Sequence, residues 1–285
     1  MKKSKVINIV VLSMLVILIL TPLGYAQDFE LETRTINEYE ALKSLSDMDL
    51  DELVIQGYSE DEIYMIENYK DFYTNKIKEL KSLDIKTLKL MDYTEEQIKA
   101  IKNFDGSEEM LILAASTLTV DSGVVSYSYD SSNNKTNAQV VLSFRWNGQP
   151  SWGFTDIFAF VWNADFILNQ SSSIMTLEYR NVHYDNKVET TASPELNGLN
   201  SACFKFPQNV TASVPGQGVL GHWLRAGGAT LNLSQTGRVE QFKIFSAYGY
   251  NTVAWSPSYT YPGGLSIKFS LRVIELDNDL ADANL

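Results

Sequence analysis

The sequence predicts a multidomain α and β protein, in which a small N-terminal helical repeat module precedes an antiparallel all-β sandwich of jelly-roll type. Three observations carry this expectation. The stretch at residues 50–71 recurs at 85–106. From Gly123 onward, apolar residues stop recurring at helical spacing and alternate with period two. All five Trp and six of the seven Pro lie beyond residue 145.

The first element is an export signal, residues 1–26. MKKSK supplies the positive n-region and VINIVVLSMLVILIL the apolar h-region. Pro22 ends the apolar run, and Gly24-Tyr25-Ala26 places small residues at the −3 and −1 positions of a cleavage site after Ala26. The run is shorter than the roughly 20 residues needed to span a bilayer. The sequence therefore predicts a secreted, extracellular protein, with no stable membrane anchor after signal cleavage.

Residues 27–110 form the expected acidic helical module. Aligning 50–71 with 85–106 gives identities at Leu53/Leu88, Tyr58/Tyr93, Glu60/Glu95, Ile63/Ile98, Ile66/Ile101 and Asn68/Asn103, so the segment is a tandem duplication with a 35-residue period. Ser59-x-x-Glu62 and Thr94-x-x-Gln97 read as capping boxes that start a helix in each copy. Behind each box, Ile63, Ile66 and Tyr69, or Ile98, Ile101 and Phe104, share one helical face. One copy is too small to bury that face, so the two copies are expected to pack on each other, completed by a helix near 36–46.

Residues 111–276 form the expected antiparallel β-sandwich. GVVSYSYD, AQVVLSFRW, DIFAFVW, SIMTLEYRNV, ACFKF, ATLNL, RVEQFKIFSAYGY, NTVAW and GLSIKFSLRVIEL read as strands. Turn clusters such as DSSNNKTN, NGQPSWG and SPSYTYPGG separate them. No helical pattern intervenes, which favours a sandwich over an α/β fold. Residues 277–285, DNDLADANL, are expected to fray as an acidic tail.

Charge narrows the possible roles. The chain is −12, and removing the three signal lysines leaves −15. Residues 27–110 hold 22 acids against 10 Lys/Arg, and 111–285 hold 13 against 10. Neither part offers the basic footprint that nucleic acid requires, so nucleic acid is excluded as a partner. An anionic membrane surface is disfavoured on the same ground. The single Cys203 cannot close an intramolecular disulfide and reads as a buried thiol in a strand. With two His and one Cys, no metal-ligand set, cofactor or catalytic residue is assigned.

The candidate ligand-binding residues are Trp152, Asp156, Trp255, Tyr259 and Tyr261. Trp152 falls in the turn RWNGQPSWGFTD, and the others of the aromatic set in or beside the turn of YGYNTVAWSPSYTYPGG. Rings on loops stack on sugar rings, and a neighbouring carboxylate can fix hydroxyls. The same rings can instead close the ends of the sandwich. Trp146 and Trp162, inside strands, read as core. The pattern predicts a non-enzymatic binding protein whose sandwich contacts an extracellular carbohydrate or protein surface, with the helical repeat as spacer or docking module. Two alternatives remain. A polysaccharide- or cell-wall-active hydrolase needs two acids facing each other in a groove. A secreted effector or toxin needs a long Ser/Thr-rich amphipathic hairpin, for which TTASPELNGLNSA and NVTASVPGQGV are the candidates.

Overall fold

The computed structural model describes residues 31–55, 58–151, 155–163, 165–181, 183, 185–196, 200–249, 254–260, 264–270 and 275–284, the last three stretches as backbone alone. The expected signal peptide lies outside the described residues.

A strand, β1 (Glu32–Asn37), comes first and is followed by seven helices: α1 (Glu38–Ser46), α2 (Leu50–Ile55), α3 (Glu60–Glu67), α4 (Tyr69–Ser82), α5 (Ile85–Leu90), α6 (Glu95–Lys102) and α7 (Glu108–Ala114). Their starts are set by short polar side chains that accept the free N–H groups of the first turn. Asn37 accepts from Tyr39 and Glu40, Asp84 from Thr87, and Ser107 from Met110. At α6 the capping box forms in both directions. The Gln97 N–H reaches Thr94 Oγ1 at 3.2 Å, and the Thr94 N–H reaches Gln97 Oε1 at 2.8 Å.

The apolar positions shared by the two copies are all buried: Leu53 and Leu88, Tyr58 and Tyr93, Ile63 and Ile98, Ile66 and Ile101. The packing differs from expectation. α3 packs on α1 and α4, while α6 packs on α4 and α7, so the copies are joined through neighbouring helices rather than chiefly to each other. Nor is the helical core separate. Helical residues from Tyr39 to Leu111 belong to one hydrophobic cluster with strand residues from Leu118 to Tyr248.

The remaining strands are β2 (Thr117–Asp130), β3 (Lys135–Asn147), β4 (Thr155–Trp162), β5 (Ile167–Leu168), β6 (Ile174–Asn181), β7 (Asn186–Ala192), β8 (Glu195–Leu196), β9 (Ser201–Pro207), β10 (Asn209–Val214), β11 (Gly218–Thr236), β12 (Gln241–Gly249), β13 (Ala254–Thr260), β14 (Gly264–Ser270) and β15 (Glu275–Asn284). They form antiparallel sheets. An eight-stranded sheet runs β1-β2-β3-β11-β6-β7, with β5 and β10 also paired to the long β11. A five-stranded sheet runs β15-β12-β4-β9-β8, and β13-β14 form a separate hairpin.

The two larger sheets meet in a sandwich-like, mainly-β arrangement. Phe144 of β3 stacks on Phe206 of β9 at 5.3 Å between centroids and meets Tyr248 of β12 edge-on at 5.4 Å. Gly227 of β11 makes room for this, since a Cβ there would lie 2.5 Å from the Phe144 ring. Trp146 and Trp162 are buried in the core as their strand positions imply, and Cys203 is buried as a free thiol.

The acidic C-terminal stretch departs from expectation. Residues 275–284 pair with β12 as an edge strand instead of fraying. A strand with little apolar content is held there by backbone bonds, which side-chain pattern does not report. The strands β1 and β7 were also not expected, for the same reason. No helix among the described residues is long and apolar enough to cross a membrane.

Candidate functional site

Residues 148–151, the loop that follows β3, are fixed from three directions. Gly148 has φ 84°, a left-handed conformation suited to glycine, and its N–H donates to the Asp92 carbonyl at 3.0 Å. A Cβ at Gly148 would lie 2.5 Å from the Tyr93 ring. The Gln149 carbonyl accepts from Ser116 Oγ at 2.7 Å and Lys76 Nζ at 3.0 Å. The Ser151 N–H donates to Glu38 Oε1 at 2.7 Å, and its hydroxyl to Glu38 Oε2 at 3.0 Å.

Glu38 is 1% exposed at the first turn of α1. It also accepts from the Tyr73 hydroxyl and lies 3.7 Å from Lys76 Nζ. Burial pushes the Lys76 ammonium below its ordinary range, and the Glu38 charge opposes that shift. Burial, with the same carboxylate beside it, pushes the Tyr73 phenol well above its ordinary range. A buried anion with three donors and a cation is a structural anchor for the loop.

The turn of the second repeat copy docks beside this anchor. Asp92 has φ 58° and occupies the position of Gly57 in the first copy. Its carboxylate lies 2.6 Å from Arg225 Nε, 3.7 Å from Arg145 and 3.8 Å from Arg180. Glu178 holds the other end of Arg225 at 2.7 Å. Burial works to raise the Glu178 pKa, but its hydrogen bond and ion pair with Arg225 hold it below the ordinary carboxylate range. Gln97 adds a neutral tie, donating from Nε2 to the Ala115 carbonyl at 2.6 Å and the Asn147 carbonyl at 3.2 Å.

Two open grooves flank the loop, and Gln149 lines both. The first, about 580 Å³, runs between α4 and the loop past Phe72, Asn75, Lys76, Glu79 and Met91. The second, about 620 Å³, runs past Asn181, His183, Asn209, Thr211 and Trp223. His222 at its base is 2% exposed and is held by Asn186 Oδ1 at 2.7 Å and the Leu220 carbonyl at 3.1 Å. The first groove is charged. Among the described residues, the second is lined by amide, hydroxyl, imidazole and indole groups and by no Asp, Glu, Lys or Arg.

The expected site residues are not assembled as the sequence suggested. Trp152, adjoining the anchored loop, and Tyr261 lie outside the described residues. Trp255 and Tyr259 fall on β13 itself, paired in register with Phe269 and Leu265, rather than in a loop. Asp156 is a correction. It is 0% exposed, accepts from the Tyr248 hydroxyl, and accepts from Gln208 Nε2 at 3.1 Å on each oxygen. Its carboxylate completes a polar network inside the sandwich and cannot reach a ligand at the surface. The groove residues Gln149, Asn181, Asn209 and Thr211 form no motif and no period, so the sequence held no signal for them.

Among the described residues, neither groove presents the two facing carboxylates that hydrolysis of a glycosidic bond requires, since the first holds Glu79 alone. No group of three or more His, Cys, Asp or Glu among the described residues is placed to hold a metal ion.

No family model and no curated protein sequence matches the chain. Among solved structures, a collagen-binding domain from a Staphylococcus aureus adhesin overlaps 55% of this chain and 92% of its own, at 10% identity and TM-score 0.28. A pore forming protein overlaps 59% of this chain and 84% of its own, at 10% identity and TM-score 0.24. Clostridium perfringens delta-toxin overlaps 60% and 83%, at 8% identity and TM-score 0.22. Overlaps this loose carry no argument about ligand or activity.

Proposed function

We propose that this is an exported binding protein that takes a neutral extracellular glycan in the groove between Gln149 and the β10–β11 hairpin. One observation carries the reading: among the described residues the groove exposes Asn209, Thr211 and His183, with Asn181 and Trp223 buried behind them, and no Asp, Glu, Lys or Arg lines it. Amide and hydroxyl donors and acceptors on an uncharged backbone hairpin suit the hydroxyl groups of a sugar. The anchored loop beneath supplies the rigidity that keeps such groups in place before binding. Trp152, next in sequence to that loop, belongs to the same proposal.

The test is a glycan array with residues 27–285, beside the double variant Asn209→Ala, Thr211→Ala. Both positions are exposed on β10, so folding is retained. Loss of two hydrogen-bonding groups is expected to weaken binding at least about tenfold. Full affinity in the double variant would remove the groove as the site. Binding by the wild type to a protein and to no glycan would move the reading to a protein surface.

A further inference from the structure

The two aligned stretches, 50–71 and 85–106, share one local geometry. In each, the tyrosine after the turn donates its N–H to the carbonyl of the buried leucine, Tyr58 to Leu53 at 3.1 Å and Tyr93 to Leu88 at 3.2 Å. In each, the first isoleucine of the following helix donates to the residue that opens it, Ile63 to Ser59 and Ile98 to Thr94, both at 2.9 Å. Leucine, tyrosine and both isoleucines are buried in the two stretches alike. The fold therefore asks the same of both.

The difference lies on the outside. On α2, Val54 is 55% exposed and Ile55 81%, and on α3 Tyr64 is 69% exposed. The aligned positions hold exposed Lys89, half-buried Leu90 and exposed Lys99. A solvated lysine serves two of these three positions in the second stretch, so packing within the chain does not call for Val54 or Tyr64. Leu50, one helical turn before Val54, is exposed on the same stripe. Its counterpart Ile85 is exposed too, so the contrast rests on the other three. Apolar side chains gathered at the surface, where the fold does not need them, mark a contact surface.

Charge separates the stretches in the same way. The first has seven acids and one Lys, the second four acids and four Lys. Among the described residues, the helical lysines that form ion pairs do so with Glu108 (Lys43 and Lys70), Glu38 (Lys76) and Glu95 (Lys89). None of these pairs reaches Asp51, Glu52, Glu60, Asp61 or Glu67, which alternate with the exposed apolar residues along α2 and α3.

We propose that α2 and α3 form a docking surface for a cationic amphipathic segment of another protein. Its apolar side chains cover Val54, Ile55 and Tyr64, and its Lys or Arg side chains pair with the acids between them. Charge favours this partner over a second copy of the chain. Two acidic first stretches repel each other, and the lysine-bearing second stretch offers only Ile85 as an exposed large apolar side chain among its described residues. The acids steer a basic segment to the surface, and the apolar contacts hold it there. No residue of α2 or α3 lines either groove, so this proposal and the glycan reading fail separately.

The test is fluorescence anisotropy of a dye-labelled peptide of Leu and Lys at helical spacing, titrated with residues 27–285. Val54→Gln combined with Tyr64→Gln removes apolar contacts at unchanged charge, and thermal unfolding checks that the fold is kept. The matched control is Lys89→Gln combined with Lys99→Gln. Wild type and control are expected to bind alike, and the Val54, Tyr64 double variant at least about tenfold more weakly. Oligolysine of the same length should bind less tightly and be lost at high salt. No binding of the Leu/Lys peptide overturns the proposal, as does full affinity in the Val54, Tyr64 double variant. Equal weakening in both double variants, or equal affinity for oligolysine, overturns it too, because charge alone would then account for binding. Self-association of the wild type in sedimentation, abolished by the Val54, Tyr64 substitutions, would also overturn it, since a second copy would then cover the face.

Discussion

The backbone N–H of Ser151 donates to Oε1 of Glu38 at 2.7 Å, joining residues 113 positions apart. That bond ties the loop between the two grooves to the first turn of the first helix. With Tyr73 and Lys76 on the same carboxylate, it makes the helical segment part of the sandwich's support rather than a free spacer.

Glu38→Ala removes the acceptor of three hydrogen bonds and leaves Lys76 without its anion. The expected loss is about 3 kcal/mol in denaturant unfolding, typical of breaking a buried charged pair. Glycan binding should fall with it, because the loop is no longer anchored. A loss below about 0.5 kcal/mol would mean that solvent, rather than Glu38, satisfies the loop.

Asp156 and Tyr248 make a second test inside the sandwich. Asp156→Ala strands the Tyr248 hydroxyl and the Gln208 amide and should cost about 2–4 kcal/mol. Tyr248→Phe removes one donor and should cost about 1–2 kcal/mol. Binding by whatever fraction remains folded should be unchanged in both, since neither residue lines a groove.

Gly148 and Gly106 separate backbone strain from overlap. Both have positive φ, 84° and 94°, but only Gly148 has a neighbour where a Cβ would go. Gly106→Ala should cost about 1 kcal/mol for the left-handed backbone alone. Gly148→Ala adds the overlap with Tyr93 and should cost about 2–3 kcal/mol. Equal costs would show that the Tyr93 ring moves aside freely.

Buried phenols fix the behaviour at high pH. Burial pushes Tyr127 up to about 12, and pushes Tyr73 and Tyr248 well above the ordinary value, each with a carboxylate adding to the shift. A group whose pKa is raised in the folded state contributes stability that is complete below its unfolded value and is lost as pH rises beyond it. Stability should therefore hold to about pH 10 and fall above it. Tyrosinate absorbance followed beside circular dichroism checks this: part of the phenol signal should appear only as the fold is lost. Complete titration with the fold intact would contradict the burial.

The helices α3 and α6 were legible because their signals are local. A capping box and isoleucines at helical spacing specify a helix wherever they stand, and the structure has both. The core strands were legible for the same reason, since a strand buried on one face must alternate. β1, β7 and β15 were not, because edge strands are held by backbone bonds and need no apolar pattern. The β13–β14 hairpin carries its signal in the sequence. Its period-two pattern runs through both arms, AWSPSYT and GLSIKFS, with Trp255 and Tyr259 on a strand instead of in a loop.

The sequence by itself determined the helix starts, the change of period near Gly123, the buried tryptophans and the acidic balance, because propensity, capping and burial act over a few residues. Tertiary structure alone decided that the two copies meet through other helices and that Asp92 and Gln97 of the second copy dock on the sheet. It also decided that Asp156 is an interior group and that Gln149 stands between two grooves. Each of these depends on contacts between residues far apart in the chain. Such contacts are set by how whole faces pack, and a side chain's type does not say which distant neighbour will satisfy it.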